Sequence, residues 1–250
     1  MNEKNQNAVI NPVKGRKSPN LGPFAVMVSS EKDIHLLREH LPAKDIAGLA
    51  MSRIYAQDSP APYYSLTGPV ISSPYAVMLM EPLIAYGARE ILFFGWCGSI
   101  SPNAEIGDII VPSGAIIEEG TSLHYGGCSN GIARPCEEFS LKIKQMLINH
   151  NLDFHEGLIW TTDAVYRETY EKIDYFQSRN ALAVEMELSA LFTVGKFRNI
   201  PVSAILVVSD ELSTLKWKPG FADERFLSTR KAVAEAIASF CNQKKGPAQI

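Results

Sequence analysis

Short apolar runs alternate with amphipathic stretches along this chain, and the alternation predicts most of its elements. "FAVMVS" (24–29) reads as a buried strand. "SSEKDIHLLREHLP" follows as a helix: Ser30 suits the cap, Asp33 stands three residues on as in a capping box, and Pro42 stops it. "SSPYAVMLMEPLIAYGA" predicts a second helix, with Ser73 at its cap, Pro74 at the first helical position and Gly87 at its close. Pro82 inside that stretch predicts a kink or an early end. "EILFFG" (90–95) reads as a fully buried strand, with "DIIVP" and "AIIEE" as two more. Residues 137–150 carry a helical pattern. Strand "GLIWTTD", helix "RETYEKIDYFQSR", strand "ALAVE", helix "LSALFTVGKFRN" and strand "VSAILVVSD" follow. A last helix near 222–242 places Phe226, Val233, Ile237 and Phe240 on one face.

Strands that are apolar throughout need cover on both faces. Alternating with helices, they predict an α/β fold of three layers, with a mixed, largely parallel central sheet flanked by helices. The chain shows no internal repeat and no Pro/Gly/Ser linker, so one domain is expected over residues 21–243. A polar tail, 1–20, precedes it, and a short tail, 244–250, follows; both are expected to be mobile.

Composition changes this picture little. With 250 residues and 46% hydrophobic content, the chain can bury a sizeable core. A net charge of −3 gives no electrostatic case for nucleic acid or an anionic membrane as partner. No apolar run reaches membrane-spanning length, and the polar N-terminus lacks the apolar core of a secretory signal. Cys97, Cys128, Cys136 and Cys241 are widely spaced, with no CxxC pair. They read as reduced thiols of a cytoplasmic protein, and no metal site is expected.

Ligands of α/β sheets gather at the carboxyl ends of strands, so polar residues there are the candidates for chemistry. "GWCGS" brings glycines that let backbone approach a ligand, though a tight turn after a strand is the simpler reading. Asp210 closes a long apolar strand. It suits a helix cap, or a general acid at the lip of a pocket. Glu185 and Glu187 interrupt an apolar run in "AVEMELSALF", where lone charges are costly to bury. They suit the positive end of the following helix, or the two hydroxyls of a ribose cis-diol, with Met186 packed on the sugar.

Together, "FFGWCGSISPNAEIGDIIVPSGAIIEEGTSLHY", "VEMELSA" and "ILVVSD" resemble the nucleoside phosphorylase superfamily, in the branch of uridine phosphorylase, hexameric-type purine nucleoside phosphorylase and methylthioadenosine nucleosidase. The resemblance runs from Phe24 to Phe240. It implies that Glu187 holds the ribose hydroxyls, with Met186 under the sugar and Glu185 nearby. It implies that Asp210 protonates the departing base, which tilts towards purine. Val165, Tyr166 and Arg167 would line the base, and Arg167 could instead read a pyrimidine carbonyl. Trp96, Cys97 and Gly98 fall in the phosphate turn, and Arg53 in "SRIY" matches an arginine that reaches a neighbouring subunit's phosphate site. The implied activity is phosphorolysis of a purine nucleoside or uridine to free base and ribose 1-phosphate, with inorganic phosphate as co-substrate and no cofactor. The implied assembly is a homodimer or homohexamer with sites shared between subunits.

The resemblance is incomplete at the phosphate end. "SSEKD" stands where phosphorolytic members carry Gly-Asp-Pro-x-Arg, Phe93 where they carry an arginine, and Trp96 where they carry a small hydroxyl residue. Lys216 and Lys218 could add charge, or be ordinary surface lysines. Asp33 aligns near the acid that activates water in the nucleosidase branch. The family's N-terminal histidine has no counterpart before His35, and His124 reads as structural. A nucleosidase using water, or a nucleoside-binding protein without turnover, are the alternatives.

Overall fold

The computed structural model describes residues 8–243. Both the 244–250 tail and the first seven residues of the N-terminal tail lie outside them; residues 8–20 form neither helix nor strand. The chain runs β1 (Phe24–Val28), α1 (Glu31–His40), β2 (Ala43–Leu49), β3 (Ser52–Gln57), β4 (Tyr64–Gly68), α2 (Ser73–Tyr86), β5 (Glu90–Ser99) and β6 (Ile109–Glu118). It continues with β7 (Ile132–Ala133), α3 (Glu137–Asn149), β8 (His155–Thr162), α4 (Tyr170–Ser178), β9 (Ala181–Glu185), α5 (Leu188–Arg198), β10 (Val202–Glu211), β11 (Lys218–Pro219) and α6 (Glu224–Gln243).

The sheet is mixed α/β architecture, but it is not largely parallel. Among the described residues five strand pairings are parallel and six antiparallel. Nor does it stay open: β5, β9, β8, β6 and β10 close on themselves, because β10 pairs with β6 on one side and β5 on the other. Closure removes the unpaired edges that an open sheet would leave on these strands. From this ring β1, β4, β3 and β2 extend outward. Two apolar clusters cover the strands, one drawn from α2 and α5 and the other from α1, α3 and α6. A third, smaller one stacks Trp160 on Phe176 of α4, with ring centroids 4.2 Å apart.

Local expectations fail where two strands fuse or partners are remote. "DIIVP" and "AIIEE" are one ten-residue strand, β6, with a register shift between Pro112 and Gly114. "GWCGS" is strand rather than turn, because neighbours pair with β5 on both sides. Pro82 lies inside α2 without ending it; the helix closes at Gly87 (φ +126°). The α2 cap is Ser72, one residue before the expected Ser73.

Asp33 departs furthest from expectation. The Ser30 hydroxyl does cap α1, accepting from Lys32 N–H, but Asp33 does not complete a capping box. It turns inward, fully buried, and its Oδ1 accepts from Arg230 Nε (2.7 Å) on α6, with Nη2 of the same guanidinium 2.6 Å away in an ion pair. Its Oδ2 accepts from Trp96 Nε1 at 2.6 Å. The Arg230 guanidinium lies 4.6 Å from the Trp96 ring centroid, and Phe226 packs edge-on against the same indole. This cluster ties α1, β5 and α6 together inside an apolar layer. Removing one partner of a buried ion pair leaves an uncompensated charge. Arg230→Met is therefore expected to cost about 3–5 kcal/mol. The double change Asp33→Leu/Arg230→Met is expected to recover much of that loss, as read by urea unfolding of both variants.

Candidate functional site

Three strands bring their carboxyl ends together at Gly98. On one edge of β5, Gly98 pairs with Val184 of β9; on the other it pairs with Asp210 of β10. A bulge between Val208 and Asp210 sets the latter register. The neighbouring Cys97 thiol is buried between the Asp210 and Glu185 charges; burial first, then those charges, push its pKa well up. A β-carbon on Gly98 would lie 2.7 Å from Leu212 Cδ1 and 3.1 Å from Asp210 Oδ2, so glycine is what lets the carboxylate sit over the strand. β8 completes the group: Thr161 pairs with Glu185 and its hydroxyl donates a short hydrogen bond to Glu185 Oε1.

Among the described residues no cation bonds the two buried glutamates, and backbone amides compensate. Glu185 Oε2 accepts from the N–H groups of Glu187 (2.7 Å) and Leu188 (2.8 Å), where α5 begins. Glu187 Oε1 accepts from Ser72 N–H (2.6 Å) at the cap of α2. Met186, half-buried between them, accepts from the Ser73 hydroxyl at its carbonyl (2.7 Å). Burial raises both glutamate pKa values; repulsion from Glu119 adds to it at Glu185, and repulsion from Glu185 adds to it at Glu187.

Glu119 was not singled out from the sequence, although it too follows a buried strand. Its carboxylate accepts from Thr121 and Ser122 N–H and from the Ser189 hydroxyl (2.9 Å), fixing the 121–125 turn against α5. Beside it an open groove of about 480 Å³, lined by Pro74, Met78, Thr121 and His124, borders the start of α2.

Asp210 is half-buried. Its Oδ1 accepts from the Ser209 hydroxyl (2.6 Å) and its Oδ2 from Trp217 Nε1 (2.9 Å). Glu168 is a second residue that sequence reasoning missed. It is half-buried, and its pKa is pushed up to about 7, by burial first and then by repulsion from Asp210. Val165, Tyr166 and Arg167 form the 3-10 turn just before it, and none of the three is buried; Tyr166 is 97% exposed.

A family model described as Phosphorylase superfamily matches residues 23–243. The chain belongs to the phosphorylase superfamily. A guanosine phosphorylase from Halorubrum lacusprofundi is 30% identical over 154 residues, 62% of this chain and 64% of that protein. A DeoD-type purine nucleoside phosphorylase from Clostridium novyi is 32% identical over 145 residues, 57% of this chain and 60% of that one. The chain thus spans about three fifths of the length of these relatives. The fold matches a purine nucleoside phosphorylase from Toxoplasma gondii with a TM-score of 0.80 at 17% identity, covering 95% of this chain and 97% of that one. It also matches an AMP nucleosidase from Bacteroides thetaiotaomicron, with a TM-score of 0.70 at 23% identity over 90% and 91%.

Several residues at the expected phosphate end have partners in this structure. Phe93 is fully buried in the core, its ring against Gly95. Trp96 is committed to Asp33 and Arg230. Arg53 is exposed and bonds Asp45 through Nε (2.8 Å) and Nη2 (2.7 Å) across the β2–β3 hairpin. Lys218 pairs with Glu211 at 3.1 Å, and Lys216 is exposed. Asp33, expected as a water-activating acid, is fully buried with its oxygens accepting from Arg230 and Trp96; burial pushes its pKa up, against the opposing pull of Arg230 and Trp96. His124 is exposed on the 121–125 turn.

The raised glutamate pKa values give stability a sign. Both lie above 4.5, so above that pH the folded chain holds more protons than the unfolded one, and stability falls as pH rises through the folded values. The Tm is expected to decline from about pH 5 to about pH 8. Glu187→Gln keeps the acceptor for Ser72 N–H and is expected to flatten that decline, as read by thermal melts across the range.

Proposed function

We propose that this protein cleaves the N-glycosidic bond of a nucleoside and releases the free base. One observation carries the reading: the strand that ends in Glu185 and the strand that carries Asp210 flank the same glycine of β5. A ribose bound at the β9 end, its hydroxyls on Glu187, puts its glycosidic bond towards β10. The bond breaks with positive charge growing on the sugar and negative charge on the base. Buried carboxylates suit the first charge, and a proton delivered from the Asp210 side suits the second. Such proton transfer is typically worth about 10²–10⁴-fold in rate. Val165, Tyr166 and Arg167 contribute base contacts in this reading, on a turn that runs directly into Glu168.

Names of the relatives favour phosphate as the acceptor of the sugar, giving a pentose 1-phosphate. Cys97 and Gly98 would then present the anion to backbone, and Arg53 would reach a neighbouring subunit in a dimer or hexamer. A second reading, water as acceptor, is favoured by the ion pairs: Arg230 is sealed by Asp33, and Arg53 is held by Asp45.

The test is a panel of purine and pyrimidine nucleosides with and without phosphate, followed by chromatography of base and sugar product. Base release is expected, and release from no nucleoside would sink the proposal. Phosphate-dependent release with pentose 1-phosphate selects the first acceptor; equal release in phosphate-free buffer selects the second. Asp210→Asn is expected to lower the turnover rate about 10²–10⁴-fold while the nucleoside still binds.

A further inference from the structure

We infer that Trp217 is a built-in surrogate for a purine base, and that it makes the site selective for purines over pyrimidines. The inference rests on the proposed cleavage at Asp210. Trp217 Nε1–H donates to Asp210 Oδ2, the oxygen that lies over Gly98 between β10 and β5. The other oxygen is taken by Ser209. With both oxygens accepting, Asp210 is satisfied as a carboxylate before any ligand arrives. A base that is to use Oδ2 must bring an N–H of its own and displace the indole.

Indole and purine share a plan: a five-membered ring fused to a six-membered one, with the N–H on the smaller ring. Once the base has left with the proton from Asp210 on its imidazole nitrogen, it offers the Oδ2 carboxylate the same donor on the same bicyclic frame. A pyrimidine is a single six-membered ring and reproduces neither feature.

The surroundings allow the exchange. Around Trp217 the backbone is anchored: Leu212 N–H donates to Ser99 O, Leu212 and Leu215 pack on the Trp160 cluster, and Lys218 and Pro219 pair with β10. The indole itself is 63% exposed, with Phe221 at a tilted 6.4 Å between ring centroids. A rotation of this one side chain, with no loop movement, uncovers Oδ2.

The experiment compares wild type with Trp217→Phe, which keeps the ring and loses the donor. The probes are hypoxanthine and adenine, with uracil as counterpart, so no turnover is required. Fluorescence is read as the difference between the two proteins, which isolates Trp217 from Trp96 and Trp160. Purine bases are expected to change that emission and to open it to acrylamide quenching. Trp217→Phe is expected to bind them about tenfold tighter, as loss of a competing hydrogen bond to a charged group entails. Inhibition of turnover by the free purine base is expected to strengthen by a similar factor. Trp217→His returns an N–H on a five-membered ring and is expected to restore part of the competition. Unchanged purine affinity in Trp217→Phe, or an equal emission response to uracil, overturns the inference. Purine-driven displacement of Trp217 without base release from any nucleoside would leave it standing and remove the proposed cleavage instead. Base release whose inhibition by the free purine base is unaltered by the substitution would do the reverse.

Discussion

The site depends on how two buried carboxylates are tolerated without a bonded cation. Backbone amides at helix starts do it: α5 begins on Glu185, and the cap of α2 donates to Glu187. Each helix carries roughly half a positive charge at its first turn, in partial charges on amides without intrahelical partners. Two such ends converge on one sequence stretch, "VEMEL". The helices are therefore electrostatic supports as well as cover for the sheet. Their apolar faces bury against the strands, and that burial fixes where their positive ends point.

Ring closure supplies the second constraint. β5 is long because β9 and β10 pair with its far end, and β10 can reach it because β6 holds its other edge. Glu185 and Asp210 thus come from strands that, among the described residues, do not pair with each other but share β5. Thr161 on β8 and Ser189 on α5 link this centre to Glu119, so the cluster is hydrogen-bonded through to the 121–125 turn.

Most elements were legible in the sequence because the apolar periods are local. The missed ones show what periodicity lacks. β2 is largely exposed, β3 buries alternate positions but places Ser52 and Ala56 among them, and β4 is short and polar at Ser65 and Thr67. Asp33 looked like a cap because its true partner, Arg230, lies 197 residues away. Glu185, Glu187 and Asp210 were legible as acids at the ends of buried strands. The same signal marked Glu119 and was passed over. Glu168 and Trp217 carry no local signal: Trp217 bonds Asp210, and Glu168 feels its charge. "LKWKPGF" drew notice for its lysines, whereas the residue between them makes the contact.

At position 98 a single hydrogen atom stands where every other residue would put carbon. A methyl group there would collide with Leu212 and crowd the Asp210 carboxylate in one stroke. Any larger residue at 98 is expected to move the tip of Leu212 and to press on the Asp210 carboxylate. The 165–168 turn and the 212–217 segment lie at the rim of this cluster, outside the strands, where side chains change without disturbing the sheet beneath.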